Sequence, residues 1–213
     1  MANRFAPLPS TLALAKLSRL LAAFEILIVP GRGNSGPTHW QTRLEIGLPG
    51  ARRVLQHEWD HPVLDDWSAQ VNALSATSRK PVLAIAHSYG CLATAAALLD
   101  HDAPIAGALL VAPANPDRFA IPFARLQKTL PVPTLLVASR NDCWMNYADA
   151  LKWASEWDST VVDAGLAGHI NVDSGHGHWP ALPGLLTRLA KQVTAQTAPA
   201  YQSLSFTRAA AAA

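Results

Sequence analysis

Cysteine is nearly missing from this sequence: two occur, Cys91 and Cys143, in no C-x-x-C pair and at no metal-ligand spacing. That argues against a disulfide framework and predicts a reducing, cytoplasmic setting. Charge is scarce too, 15% of residues with a formal net of +2, and the 17 Lys and Arg are scattered. Nucleic acid and anionic membrane surfaces are held by basic residues gathered in a run or on one face, so neither partner is expected. Long uncharged apolar runs are also lacking. Residues 12–24 come nearest but are interrupted by Lys16 and Arg19. They fall short of the roughly 20 apolar residues of a membrane span and are too charged for a signal-peptide core. No repeat period is found, and nothing in the sequence specifies an oligomeric state.

What is there is a chain of 213 residues, half of them hydrophobic, enough for one sizeable core and most economically one α/β domain. Leu14, Leu17, Leu20, Leu21 and Phe24 recur at helical spacing. They predict that the N-terminal extension, residues 1–24, lays an amphipathic helix on the domain; a disordered or targeting extension is the alternative. Beyond it, strand and helix alternate. "FEILIVP", "RRVLQHEW", "PVLAIAHS", "IAGALLVAPA", "PVPTLLVAS" and "STVVDAG" read as strands. "LDDWSAQVNALSATS", "GCLATAAALLDH", "YADALKWASEW" and "WPALPGLLTRLAKQVTAQ" read as helices. Strands apolar on both faces and separated by helices predict a mostly parallel sheet covered on both sides, with functional residues at the carboxyl ends of the strands. The Pro-rich stretch between the fourth and fifth strands is too short for a cap domain and reads as a loop with one short helix. The domain is expected over 25–195. Residues 196–213, ending in "FTRAAAAA", read as a tail that is frayed or an expression scar.

Ala86-His87-Ser88-Tyr89-Gly90 stands where the third strand gives way to a helix, a variant of G-x-S-x-G with Ala in the first place. A nucleophile elbow needs small residues two places either side of the serine, because the tight turn brings those backbones against neighbouring elements. Such a turn lifts the Ser88 hydroxyl clear of the sheet and aims the Tyr89 amide at the same space as an oxyanion donor. The plainer reading of Ser88 alone is a helix N-cap. Two further residues favour the elbow: Asp142 follows the fifth strand and His169 the last. Ser, Asp and His, each after a strand, stand in the order that α/β-hydrolases have.

Competitors exist. Asp163 lies within the strand leading to His169, and His176 and His178 sit further along "GHINVDSGHGHWP", so Asp142 and His169 are preferred. The three histidines with Asp173 invite a metal, yet H-x6-H-x-H in a Gly-rich loop matches no defined zinc spacing; no metal is expected. His87 reads as a hydrogen-bonded core residue rather than one facing the site.

"IVPGRGNSGPTHW" carries Gly31, Gly33 and Gly36 as G-x-G-x-x-G after a strand, with Glu58 or Asp60 where a ribose-binding acid would stand. An oxidoreductase binding NAD is therefore a rival reading. Against it, Pro37, His39 and Trp40 crowd the place where a phosphate-cradling helix should begin. A hydrolase needs glycines in the same loop for another purpose, to bring a second oxyanion amide to the elbow. Arg32 is the first choice of donor and Gly33 the second. That chemistry needs no metal or organic cofactor.

"IVPGRGNSGPTHWQTRLE", "RRVLQHEWDHPVLDDW", "AHSYG", "ASRNDCWMNYADALKWA" and "AGHINVDSGHGHWPAL" together resemble the small α/β-hydrolases of the retinoblastoma-binding-protein-9 (YdeN-like) type, a family of compact serine esterases. The resemblance runs over about residues 25–195. It implies a compact sheet with little or no cap and a triad of Ser88, Asp142 and His169. The family's Pro-Gly-x-x-x-Ser loop falls on Pro30, Gly31 and Ser35, with His39 and Trp40 near the substrate pocket. The family also accepts residues other than Gly before His-Ser, so Ala86 does not weigh against activity. The segment before Glu25 departs from its pattern. Of seven tryptophans, Trp40, Trp144 and Trp179 lie on loops of the active side and are expected to shape an apolar pocket; core packing is the alternative for Trp179. The expected reaction is hydrolysis of a small-molecule carboxylic ester, or an amide, through an acyl-enzyme on Ser88. Short or aromatic esters are the simplest substrates for so shallow a site. The alternative outside the enzymes is a protein-binding module that keeps the scaffold without the chemistry.

Overall fold

The structure, a computed structural model, describes residues 17–197. The expectations for most of the N-terminal extension, residues 1–16, and for the tail from 198 lie outside the described residues. Six strands form one parallel sheet: β1 (Glu25–Val29), β2 (Arg52–Arg53), β3 (Val82–His87), β4 (Ile105–Val111), β5 (Thr134–Ala138) and β6 (Thr160–Asp163), in the order β2-β1-β3-β4-β5-β6. Residues 17–21 of the extension are helical, and the helices after β1 are α1 (Trp40–Gly47), α2 (Leu64–Ala76), α3 (Tyr89–Asp100), α4 (Phe123–Leu126), α5 (Tyr147–Glu156) and α6 (Leu182–Thr197), with a 3₁₀ turn at Pro116–Phe119. This is the doubly covered parallel sheet of the α/β-hydrolase fold.

Alternation along the strands decides which helices go where, because successive side chains point to opposite faces. Leu27, Val29, Ala84, Ala86, Leu110 and Leu136 face one core, shared with Trp67 of α2, Leu92 of α3 and Trp153 of α5. Ile28, Leu83, Ile85, Leu109, Val111 and Val137 face the other, covered by Leu186, Leu189 and Val193 of α6 and by Trp40 of α1. The small Ala84 and Ala86 on the first face let the alanine-rich α3 lie close to the sheet. Both faces are thus buried, as a parallel sheet requires.

Local signals start the helices. Asp65 and Asp66 fall in the first turn of α2, where carboxylates favour the helix dipole, and Asn146 caps α5 by accepting from the Asp149 amide.

Three elements differ from expectation. The second strand pairs only over Arg52–Arg53, with Val54 N still donating to Ile28 O at 2.9 Å. It is an edge strand with one neighbour, and its continuation turns away so that the Trp59 carbonyl accepts from Gly33 N at 3.0 Å. Helix α1 was not expected: "WQTRLEIG" has no apolar periodicity, and only Trp40 and Gln41 are buried. The Pro-rich stretch after β4 forms two short helical turns rather than one. Leu21 and Phe24, from the extension, are buried in the α6-side core. No helix among the described residues is long and apolar enough to cross a membrane.

The order of the strands sets the position of the site. The chain runs from β1 outward to β2 and then returns to β3 on the other side of β1, so loops after β1 and β3 diverge at a topological switch point, where such sheets bind ligands. Val29 and Ala86 are paired across these two strands, and the next few residues of each carry Gly31 and Ser88.

Candidate active site

Ser88 leaves β3 with φ 54° and ψ −123°, a backbone conformation in which a side chain is strained. Its surroundings hold it there. A Cβ on Gly31 would stand 2.7 Å from Ser88 Cβ, and one on Gly90 would stand 2.4 Å from the Pro30 carbonyl oxygen. Only glycine at both places lets the loop after β1 and the start of α3 close around the serine. Ser88 N donates to Val111 O at 3.0 Å, tying the turn to β4. The side chain makes no capping bond to α3; Ser88 Oγ instead lies 2.9 Å from His169 Nε2.

His169 is held by its neighbours' backbone. Gly168 and Ile170 on either side have φ of 59° and 47°, and a Cβ on Gly168 would stand 2.6 Å from Ser174 Cβ. His87 Nε2 donates to His169 O at 2.9 Å, and Trp40 Nε1 donates to Ile170 O at 2.8 Å. The loop is also joined to the one after β5: Gly168 N donates to Asn141 Oδ1 at 2.8 Å and Ala167 N to Ser139 Oγ at 3.0 Å. That second loop delivers Asp142, both of whose carboxylate oxygens lie 2.9 Å from His169 Nδ1. The Trp144 amide donates to Asp142 Oδ1 at 2.8 Å. Both side chains are buried, 7% exposed for His169 and 3% for Asp142. The pair is therefore shielded from bulk water.

The competing residues are placed elsewhere. Asp163 accepts from Arg140 Nε at 2.9 Å and from Gly165 N at 2.8 Å, on the surface. His176 Nδ1 lies 3.2 Å from Ser174 Oγ, and His178 is exposed. Among the described residues no group of three metal-ligating side chains comes together.

A cavity of about 340 Å³ opens over Ser88 and His169, at the small end of the range for ligand sites. Arg32, His39 and Trp144 line it, and so does Phe119, which the sequence did not single out. Gly31 lies behind Ser88 as backing. Gly31, Ser35, Trp40 and Trp179, expected in the pocket, do not line it. Ser35 Oγ donates to Gln41 Oε1 at 2.6 Å, Trp40 supports the His169 loop, and Trp179 packs against Trp40 with ring centroids 5.1 Å apart. They build the wall from behind.

Gln41, also unforeseen, is fully buried. Its Nε2 donates to Val29 O at 3.1 Å and Ile85 O at 2.9 Å, clasping the ends of β1 and β3 beneath the site. One buried glutamine has no signature in a single sequence.

The turn after β1 is closed by Asn34 N donating to Gly31 O at 3.1 Å, with Gly33 at φ 76°, the geometry of a type II turn. Since Gly33 N is already engaged by the Trp59 carbonyl, Arg32 is the one of the two candidate donors whose amide has no acceptor among the described residues. Tyr89, first residue of α3, has no acceptor for its amide within the helix. The dinucleotide reading fares worse: the amide at the start of α1, where a pyrophosphate would sit, donates instead to His39 Nδ1, Gln41 N at 3.1 Å.

Three imidazoles stand in a row, with centroids 5.0 Å apart for His39 and His87 and 4.9 Å for His87 and His169. Burial, then the nearby Arg53 charge, lowers His39 to about 4. Burial, then the proximity of His169, holds His87 well below the usual histidine value. Both are neutral at pH 7. Their partners assign the tautomers: His87 donates from Nε2, and His39 accepts at Nδ1 and so carries its proton on Nε2.

The serine hydrolase family model matches residues 26–188. A YdeN-like hydrolase from Pectobacterium atrosepticum is 38% identical, with 87% of this chain and 98% of that chain covered and a TM-score of 0.79. The ydeN gene product of B. subtilis is 20% identical, with 77% and 97% covered and a TM-score of 0.64. Est1E from Butyrivibrio proteoclasticus, solved with ferulic acid bound, is 12% identical, with 79% and 89% covered and a TM-score of 0.62. These last two share the fold. No curated protein matches the sequence. With its parallel sheet, its strained serine at the switch point and a family match over most of its length, the chain belongs to the serine hydrolase family.

Proposed function

We propose that the protein is a serine esterase that cleaves small carboxylic esters through an acyl-enzyme on Ser88. The observation that carries the reading is the continuous line of hydrogen bonds from Ser88 Oγ through His169 to Asp142, each at 2.9 Å, at the floor of a cavity. His169 Nε2 takes the proton of Ser88 as Oγ attacks the ester carbonyl. Asp142 holds the proton on Nδ1 and stabilises the imidazolium that forms. The Arg32 and Tyr89 amides receive the oxyanion. The tetrahedral intermediate collapses, His169 protonates the departing alcohol, and water, activated by the same base, releases the acid. Because His39 and His87 are uncharged, the transient imidazolium has no cationic ring beside it.

Amide hydrolysis is the extension of the same chemistry to a poorer leaving group. The reading keeps residues 25–195 as the hydrolase domain, a small-molecule substrate as the partner, and a cytoplasmic setting, in keeping with the free Cys91 and Cys143.

The test is labelling with a fluorophosphonate probe, with the modified peptide read by mass spectrometry in wild type and Ser88→Ala. Labelling of Ser88 in wild type is expected, with 4-nitrophenyl ester turnover falling by about 10⁴-fold or more in the variant. A folded, monodisperse wild type that takes no label would overturn the reading and favour a binding module on a hydrolase scaffold.

A further inference from the structure

Two guanidiniums flank Trp144 of the cavity wall, Arg32 from within the cavity lining and Arg118 from just outside it. Arg32 Cζ lies 5.3 Å and Arg118 Cζ 5.1 Å from the centroid of its ring, and that ring is 6.0 Å from the imidazole of His169. Three loops converge here: Arg32 follows β1, Arg118 sits in the 3₁₀ turn after β4, and Trp144 follows β5. Both arginines are exposed, and neither pairs with a carboxylate among the described residues, unlike Arg52, Arg53, Arg125 and Arg140. Arg118 Nη2 is fixed by the Cys143 carbonyl at 2.8 Å. The Arg32 guanidinium donates to no protein acceptor among the described residues.

Holding two like charges on one ring is electrostatically unfavourable. Attraction to the indole face offsets part of that, and it leaves the N–H donors of Arg32, with those of Arg118 that Cys143 does not hold, to bind a planar oxyanion. Asp173 is the one carboxylate on the cavity wall besides. A carboxylate reaching Trp144 would meet two guanidiniums that no acid of the described residues engages. Phe119, on the same wall, offers apolar contact to a short chain joining that anion to the reacting carbonyl.

We propose that the site selects esters carrying a carboxylate at the end of a short chain, with Arg32 and Arg118 as the specificity-determining side chains. The proposal rests on the esterase reading of Ser88. Its test compares two 4-nitrophenyl esters of equal chain length, the valerate and the glutarate half-ester, as a ratio of kcat/KM. Wild type is expected to favour the glutarate ester. Arg118→Gln should shrink that preference about 10-fold, Arg118→Lys should keep most of it, and added salt should erode it in wild type. Turnover of both esters with a ratio that Arg118→Gln leaves unchanged would overturn the carboxylate inference while the esterase reading stands. No turnover of either ester, together with no fluorophosphonate label on Ser88, would overturn the esterase reading and the inference with it.

Discussion

Gly31 and Gly90 flank the same serine, yet their replacement should fail in different ways. The Cβ of Gly90→Ala would meet the Pro30 and Val29 carbonyls at 2.4 and 2.5 Å, fixed backbone that cannot step aside, so a loss of about 2–3 kcal/mol in urea unfolding is expected. In Gly31→Ala the nearest atom is Ser88 Cβ itself. Turnover of a 4-nitrophenyl ester should therefore fall by about 10²-fold, as expected for a displaced nucleophile, with the unfolding midpoint little changed. Asp142→Asn should lower kcat about 10⁴-fold by leaving the wrong tautomer on His169, while Asp163→Asn, on the surface with Arg140, should stay within about twofold. The pair of kinetic measurements separates the two acids that the sequence left in competition. Ser88, His169 and Asp142, each within hydrogen-bond distance of the next, could be named as candidates because each follows a strand, and order along the chain survives in a sequence. Ser35 and Trp40 fell behind the wall and Trp179 took its core alternative, because proximity to a motif does not say which way a side chain points.

Among the elements, α1 carries more of the site than its sequence suggests. Gln41→Ala would strip Val29 O and Ile85 O of their second hydrogen bonds, the β1–β3 ladder bonds remaining, and would leave the Ser35 hydroxyl without its acceptor in the interior, so about 1–3 kcal/mol of stability should be lost in a denaturant titration. His39, the cap of the same helix, links this element to pH. Its value of about 4 in the folded protein lies below the roughly 6.5 of an unfolded histidine, so the unfolded chain binds more protons between those limits. Stability from this group is complete above pH 6.5 and is lost as pH falls toward 4, by about 3 kcal/mol; the buried, neutral His87 adds in the same direction. Urea midpoints measured from pH 7 to pH 4 should fall accordingly, and His39→Asn, which keeps a capping side chain, should flatten the slope. Helix α1 and the shortness of β2 escaped a reading based on periodicity. An eight-residue helix burying two side chains leaves no stripe to detect, and an edge strand ends where its single neighbour ends.

For the whole molecule, the sequence determined the class of fold and the kinds of residue available for chemistry. Strands apolar on both faces and alternating with helices can be buried only inside a doubly covered parallel sheet, and that constraint is local enough to read along the chain. A sequence cannot say where packing stops. The extension, expected only to lie on the domain, places Leu21 and Phe24 within its core, 4% and 8% exposed, so Phe24→Ala should cost about 3 kcal/mol in urea unfolding. Nor does it reveal that β1 and β3 are neighbours, with β2 outside them. That arrangement brings Gly31 against Ser88, lets Gln41 clasp two strands, and sets Arg32, Arg118 and Trp144 side by side from three loops. Periodicity and order are properties of neighbouring residues and so are written in the chain. Contacts between residues 130 positions apart, such as that of Trp40 with Ile170, exist only once burial has chosen which strands lie together.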